Sequence, residues 1–137
     1  MIRFRSAALA SAVLWAGSIA GQAAAVQVSA TRASHGVYTT AQARRGGGVF
    51  EDVCLACHTV SRFRGADFAA KWGDKPLATL YKAVTTMPQG EPDSLDPQDY
   101  ADVVAYLLSI NAYPDGPLEL PPSAEAVAAI WLDAKAP

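Results

Sequence analysis

The chain's two cysteines stand three apart with a histidine directly behind them, in Cys54-Leu55-Ala56-Cys57-His58. No other feature limits the fold as much, because two thiols and an imidazole this close in sequence must serve one chemistry. Three chemistries use such a cluster. Thiol–disulfide exchange on a thioredoxin-like scaffold needs a βαβ pattern around the pair, and none surrounds residues 54–58. A zinc site needs two further ligands, but His35 is the only other histidine and no cysteine remains. The third use is covalent attachment of a prosthetic group through both sulfurs.

Two thiols at this spacing reach the two vinyl groups on one side of a porphyrin, and the next residue offers an imidazole nitrogen to the iron. Cys54-x-x-Cys57-His58 is thus the attachment signature of c-type haem. One covalently bound haem c is expected, with His58 as an axial ligand. Such a tether keeps the haem in place even where its edge meets water, as an electron carrier requires.

The first 25 residues are expected to be a signal peptide rather than part of the fold. Arg3 and Arg5 precede an apolar stretch from Ala7 to Ala20, and small residues then end at Ala25. The alternative is a retained membrane anchor, but Ser11, Gly17 and Ser18 interrupt a stretch already short of the ~18–20 apolar residues of a span. No cysteine lies near this region to carry a lipid. Cleavage after Ala25 would leave nine basic and thirteen acidic residues, a formal charge of −4. Localisation is then periplasmic, where thiols rarely stay free. With 51% hydrophobic and 18% charged residues, a disordered protein or a general nucleic-acid binder is excluded.

Beyond the signal peptide, the chain reads as an all-α domain with two flanks. Residues 26–38 are polar and aperiodic, and are expected to run as an extended leader over the surface. The haem domain spans 39–112. Thr39-Thr40-Ala41-Gln42 fits a capping box opening a first helix that reaches about Cys57. Gly46-Gly47-Gly48 argues against it, since each glycine costs a helix interior up to ~1 kcal/mol. Residues 59–66 read as loop, Phe68–Trp72 as a short helical turn, and Leu77, Leu80, Tyr81 and Val84 as the apolar stripe of another helix. Asp96 and Pro97 open the clearest helix, with Tyr100, Val103, Val104, Leu107 and Leu108 on its buried face and Asn111 as its terminator. Residues 113–137 form a proline-rich extension. Ser123 is expected to cap a short helix there, with Val127, Ile130, Trp131 and Ala134 on one face, either packed on its own domain or docking a partner.

The loop before the clearest helix holds Met87, the only methionine besides Met1, 29 residues after His58 and followed by Pro88. A thioether opposite the imidazole raises the reduction potential and leaves iron six-coordinate. Core packing is the commoner fate of methionine, and His35 is the rival ligand, although it falls in the leader. Met87 is therefore expected as the sixth ligand.

Over roughly residues 38–120 the chain resembles the class I c-type cytochromes. The likeness rests on Cys54-x-x-Cys57-His58, on Thr86-Met87-Pro88, and on Tyr100-Ala101-Asp102-Val103-Val104-Ala105-Tyr106-Leu107. It implies a small fold of about four helices wrapped around one haem, with Gly46 and Phe50 packed on the last helix at Val103 and Tyr106. More narrowly, Phe68-Ala69-Ala70-Lys71-Trp72, Leu77-x-x-Leu80-Tyr81 and Asn111-x-Tyr113-Pro114-x-Gly116 are similar to cytochrome domains associated with quinoprotein dehydrogenases. That similarity implies a dehydrogenase as donor and a terminal oxidase or another cytochrome as acceptor. It sets Trp72 beside the haem propionates, with core packing as its alternative role.

The function expected is single-electron transfer by a monohaem carrier, without catalytic residues of its own. No Ser–His–Asp set, paired carboxylates or phosphate-binding glycine loop is present. Two alternatives stand beside it: a haem subunit of a quinoprotein-type dehydrogenase complex, and a five-coordinate haem that binds gas or peroxide. Residues 44–82 carry seven basic residues against four acids, whereas 91–133 carry nine acids and no base. Either these are two solvated faces, or the molecule is dipolar and steered to its partners.

Overall fold

A computed structural model describes residues 30–135. The expected signal peptide, residues 1–25, lies outside them. Among the described residues four helices and one two-stranded pairing make up the regular structure, with short helical turns between them. No described helix is long and apolar enough to cross a membrane.

Helix α1 spans Thr40–Val49, and the Thr39 hydroxyl accepts the Gln42 N–H at 3.1 Å, as a capping box demands. Only half of the box forms. The Gln42 carboxamide is buried and turns instead to the C-terminal extension, where it donates to the Leu120 carbonyl at 3.0 Å and accepts the Leu120 N–H at 2.7 Å. The helix continues as one wider π-helical turn, Phe50–Cys54, closed by the Leu55 N–H on the Phe50 carbonyl at 3.0 Å. It therefore ends at Cys54 rather than Cys57.

Helix α2 spans Gly65–Trp72 and α3 spans Leu77–Thr85. A 3-10 turn, Val60–Phe63, occupies the segment expected to be loop. Helix α4, Pro97–Ser109, is capped by the Asp96 carboxylate, which accepts the Gln98 N–H at 2.8 Å. All five residues of its expected apolar face are buried. So are Ala101, Asp102 and Ala105, because α1 and α3 both pack against this helix.

The centre of the molecule is the crossing of α1 over α4. A side chain at Gly46 would overlap the Asp102 carbonyl and crowd the Val103 N–H, so the two backbones touch there. Four residues on, Phe50 packs on Tyr106 with ring centres 5.2 Å apart. The glycine run that argued against the helix supplies the contact that seats it. Beside the crossing, buried Asp102 accepts Arg45 Nε at 2.7 Å, Arg45 Nη2 at 3.1 Å and Gln98 Nε2 at 2.7 Å. Arg45 also grips Glu119 of the extension at 2.9 Å.

The flanks depart most from expectation. The part of the leader within the described residues is no surface strand of polar chain: Ala33 is fully buried, Tyr38 nearly so, and Thr31–Arg32 forms strand β1. In the extension the expected helix is absent. Residues 124–129 form turns, and Ile130–Trp131 forms strand β2, paired in parallel with β1. The Ser123 hydroxyl does accept the Ala126 N–H at 3.2 Å, as a cap would, but the turns after it stop where Ile130 and Trp131 pair with the leader. Leu120, Val127 and Leu132 are buried, so the extension packs on its own domain.

Two predictions follow from this packing. Gly46→Ala forces the helices apart and is expected to cost about 3 kcal/mol or more, whereas Gly48→Ala, which meets nothing within 4 Å, is expected to be neutral or stabilising by up to ~1 kcal/mol. Denaturant midpoints of the two variants check the pair. Separately, burial raises the phenol pKa of Tyr38, Tyr81 and Tyr113 above the ordinary 10.0, with Asp115, Glu125 and Asp133 respectively adding to the shift. Unfolded phenols then ionise before folded ones. The stability these groups add is complete below about pH 10 and declines above it, which unfolding curves taken across that pH range read directly.

Candidate functional site

The turn that follows α1 presents the three residues of the motif. The N–H groups of Cys57 and His58 both donate to the Cys54 carbonyl, at 3.2 and 3.0 Å, so the chain folds tightly back at the end of the helix. Cys54 is half-buried, Cys57 is exposed, and the two thiols are free. Burial pushes the Cys54 thiol pKa up. That is the opposite of the thiolate stabilisation a disulfide-exchange pair needs.

His58 is seated by an aromatic series that starts at the helix crossing. Tyr106 packs on Phe50, Phe50 meets Phe63 edge-on at 5.5 Å, and Phe63 meets the His58 ring edge-on at 5.3 Å. Phe63 is itself fixed by Asn111, just beyond α4. The Asn111 side chain donates to the Phe63 carbonyl at 2.7 Å and to the Leu107 carbonyl at 2.8 Å, and accepts the Gly65 N–H at 2.8 Å. The residue expected only to end a helix thus ties α4 to the segment behind His58.

Cys54, Cys57, His58, Trp72 and Met87 all line one cavity of about 720 Å³. Its walls come from the π-helical turn, α2, α3, α4 and the Met87 loop, and are mostly apolar, with Phe50, Phe68, Leu80, Val84, Leu95 and Leu107 among them. Its size falls within the roughly 300–1,000 Å³ of cofactor sites. Arg62 and Lys71 supply positive charge to the lining, and Lys71 Nζ sits 4.7 Å from the centre of the Trp72 ring. A second hollow of about 480 Å³, bordered by Tyr38, Arg44, Tyr106 and Asp115, contains none of these five residues.

The lining fits a haem. His58 Nδ1 is buried without a hydrogen-bond partner among the described residues, a cost that an imidazole bears at a ligand site better than in a core. Two free thiols flank it, a thioether is the one soft donor elsewhere on the wall, and the rest is apolar. His35 is exposed and outside the cavity. No group of three or more His, Cys, Asp or Glu residues among those described is arranged to hold a metal ion.

Sequence reasoning found the five lining residues but not the second rank that holds them. Phe63 stood in no motif and Asn111 only at the head of Asn111-x-Tyr113-Pro114-x-Gly116, which gave it no role, so only their long-range contacts reveal their part. Asn111→Ala removes a buried carboxamide with three partners and is expected to cost about 2–3 kcal/mol. The same change is expected to broaden the His58 ring resonances in NMR spectra, because Phe63 loses its anchor.

A family model described as "Cytochrome C oxidase, cbb3-type, subunit III" matches residues 41–107. Over that segment the chain is similar to c-type cytochrome domains, a type that generally holds haem c covalently and passes electrons to redox partners. It covers the haem motif and Met87 and ends within α4, leaving out both flanks. No curated protein and no solved structure matches the chain.

Proposed function

We propose that the chain is a periplasmic, monohaem c-type cytochrome that shuttles single electrons between protein partners. The observation that carries this reading is the convergence of Cys54, Cys57, His58 and Met87 on one apolar cavity. When bound, haem supplies a one-electron Fe(II)/Fe(III) couple. Cys54 and Cys57 would hold it by thioethers, and His58 and Met87 would be its iron ligands. Phe50, Phe68, Leu80 and Leu107 keep water from the interior. Arg62 and Lys71 would face the haem carboxylates, as would the Trp72 indole. Cys57 is exposed, so its corner of the site is where electrons enter and leave.

With His58 and Met87 both given to holding the haem, no residue would be left to bring a substrate to it, and the protein would act as a carrier rather than an enzyme. A quinoprotein dehydrogenase is the donor this reading favours, with a terminal oxidase or another cytochrome as acceptor. The matched family's description names an oxidase subunit, which keeps a second reading in view: a haem subunit fixed in a larger oxidoreductase. The extension supports the free carrier, because Leu120, Val127 and Leu132 are spent on its own core.

The test is spectroscopic. Exported holoprotein is expected to show the weak thioether-to-iron band near the red edge of the ferric spectrum and to refuse carbon monoxide when reduced. Met87→Ala is expected to lose the band and bind carbon monoxide. A wild-type protein that binds carbon monoxide under native conditions would instead be the five-coordinate gas or peroxide binder. Elution of the native protein as a small monomer supports the carrier over the subunit.

A further inference from the structure

We propose that Tyr100 is the positioning residue that holds Met87 against the haem iron. The inference rests on the haem reading above, and gives the first residue of the Tyr100–Leu107 run a role that the resemblance did not assign. Met87 stands at the start of a loop whose tip, residues 89–94, is exposed. Its backbone has two tethers. The N–H donates to the Val84 carbonyl in α3 at 3.0 Å, and the carbonyl accepts from the Tyr100 hydroxyl in α4 at 3.0 Å. That hydroxyl also accepts the Leu95 N–H, at 3.2 Å, from the far end of the loop.

One oxygen therefore closes the loop at both ends and joins it to α4. Both hydrogen bonds that link the loop to α4 run through it. The remaining ties, Glu91 N–H to the Pro88 carbonyl and Asp93 N–H to the Thr85 carbonyl, shape the tip or return to α3. Tyr100 lines the cavity and is only 3% exposed, on the helix that the Gly46 contact fixes to α1. A phenol is suited to this place because its hydroxyl donates and accepts at once, while its ring fills the same apolar space a phenylalanine would. Without the hydroxyl, the Met87 carbonyl and the Leu95 N–H lose their partner together, and the loop opens more often. An outside ligand binds the iron only in the open state, so its apparent affinity reports how often the loop opens.

The experiment titrates ferric holoprotein with imidazole. Tyr100→Phe is expected to bind imidazole about fivefold or more tightly than wild type, the factor one lost hydrogen bond predicts, with a weakened thioether band. Tyr81→Phe removes another buried hydroxyl, one that donates to the Pro97 carbonyl at 3.1 Å and lies off the cavity lining. It is expected to leave imidazole affinity unchanged. Equal affinity in Tyr100→Phe and wild type, or an equal rise in Tyr81→Phe, overturns the inference while the haem reading stands. A wild-type protein without the thioether band overturns both. Should Tyr100→Phe fail to mature, hydrogen exchange of the wild-type holoprotein decides: a protected Leu95 amide beside fast-exchanging Gln89 and Gly90 amides supports the clamp, and a Leu95 amide exchanging as fast as they do defeats it.

Discussion

Backbone touches backbone where α1 crosses α4 at Gly46, and almost every feature of the site is placed relative to that point. The missing side chain lets α1 lie directly on the Asp102 carbonyl. Phe50 then falls on Tyr106, and the π-helical turn after it delivers Cys54 to the cavity. From α4 outward, Tyr100 reaches the Met87 loop and Asn111 reaches the segment behind His58. The two sides of the cavity, one carrying His58 and the other Met87, are thus referred to one rigid pair of helices.

Around the crossing the fold places polar groups where a simpler core would have hydrocarbon. Among the described residues Gln42, Asp102 and Asn111 are the buried polar ones, and each joins segments distant in sequence. Their value lies in complete pairing, since a buried carboxylate or amide left alone costs more than its bond returns. Arg45 shows the same economy at the surface. It links α1 with Asp102 and with Glu119, so part of the contrast between the basic and acidic stretches is neutralised inside the molecule. Arg62 and Lys71 remain to present positive charge at the cavity, beside the single acid Asp67.

Much of this was legible beforehand, for a physical reason in each case. The haem motif is local in sequence, as are the Asp96–Pro97 cap and the apolar stripes of α3 and α4, so short windows reveal them. The role of Gly46 was legible only through resemblance, because the residue it meets lies 56 positions away. The extension misled because its period near 3.6 is real, yet the β1 strand that captures it comes from the other end of the chain. Gln42 read as a capping-box partner because local rules cannot see Leu120. Tyr100 read as one more apolar position, since nothing in a helical stripe tells which hydroxyl will find a carbonyl.

The central claim is one haem fixed by Cys54 and Cys57. The most direct measurement is the intact mass of the exported protein under denaturing acid, before and after acid–acetone extraction. The account predicts polypeptide plus a single haem that survives both treatments and disappears when both cysteines are replaced by alanine. Bare polypeptide mass, or a porphyrin that leaves with the acetone, would contradict it.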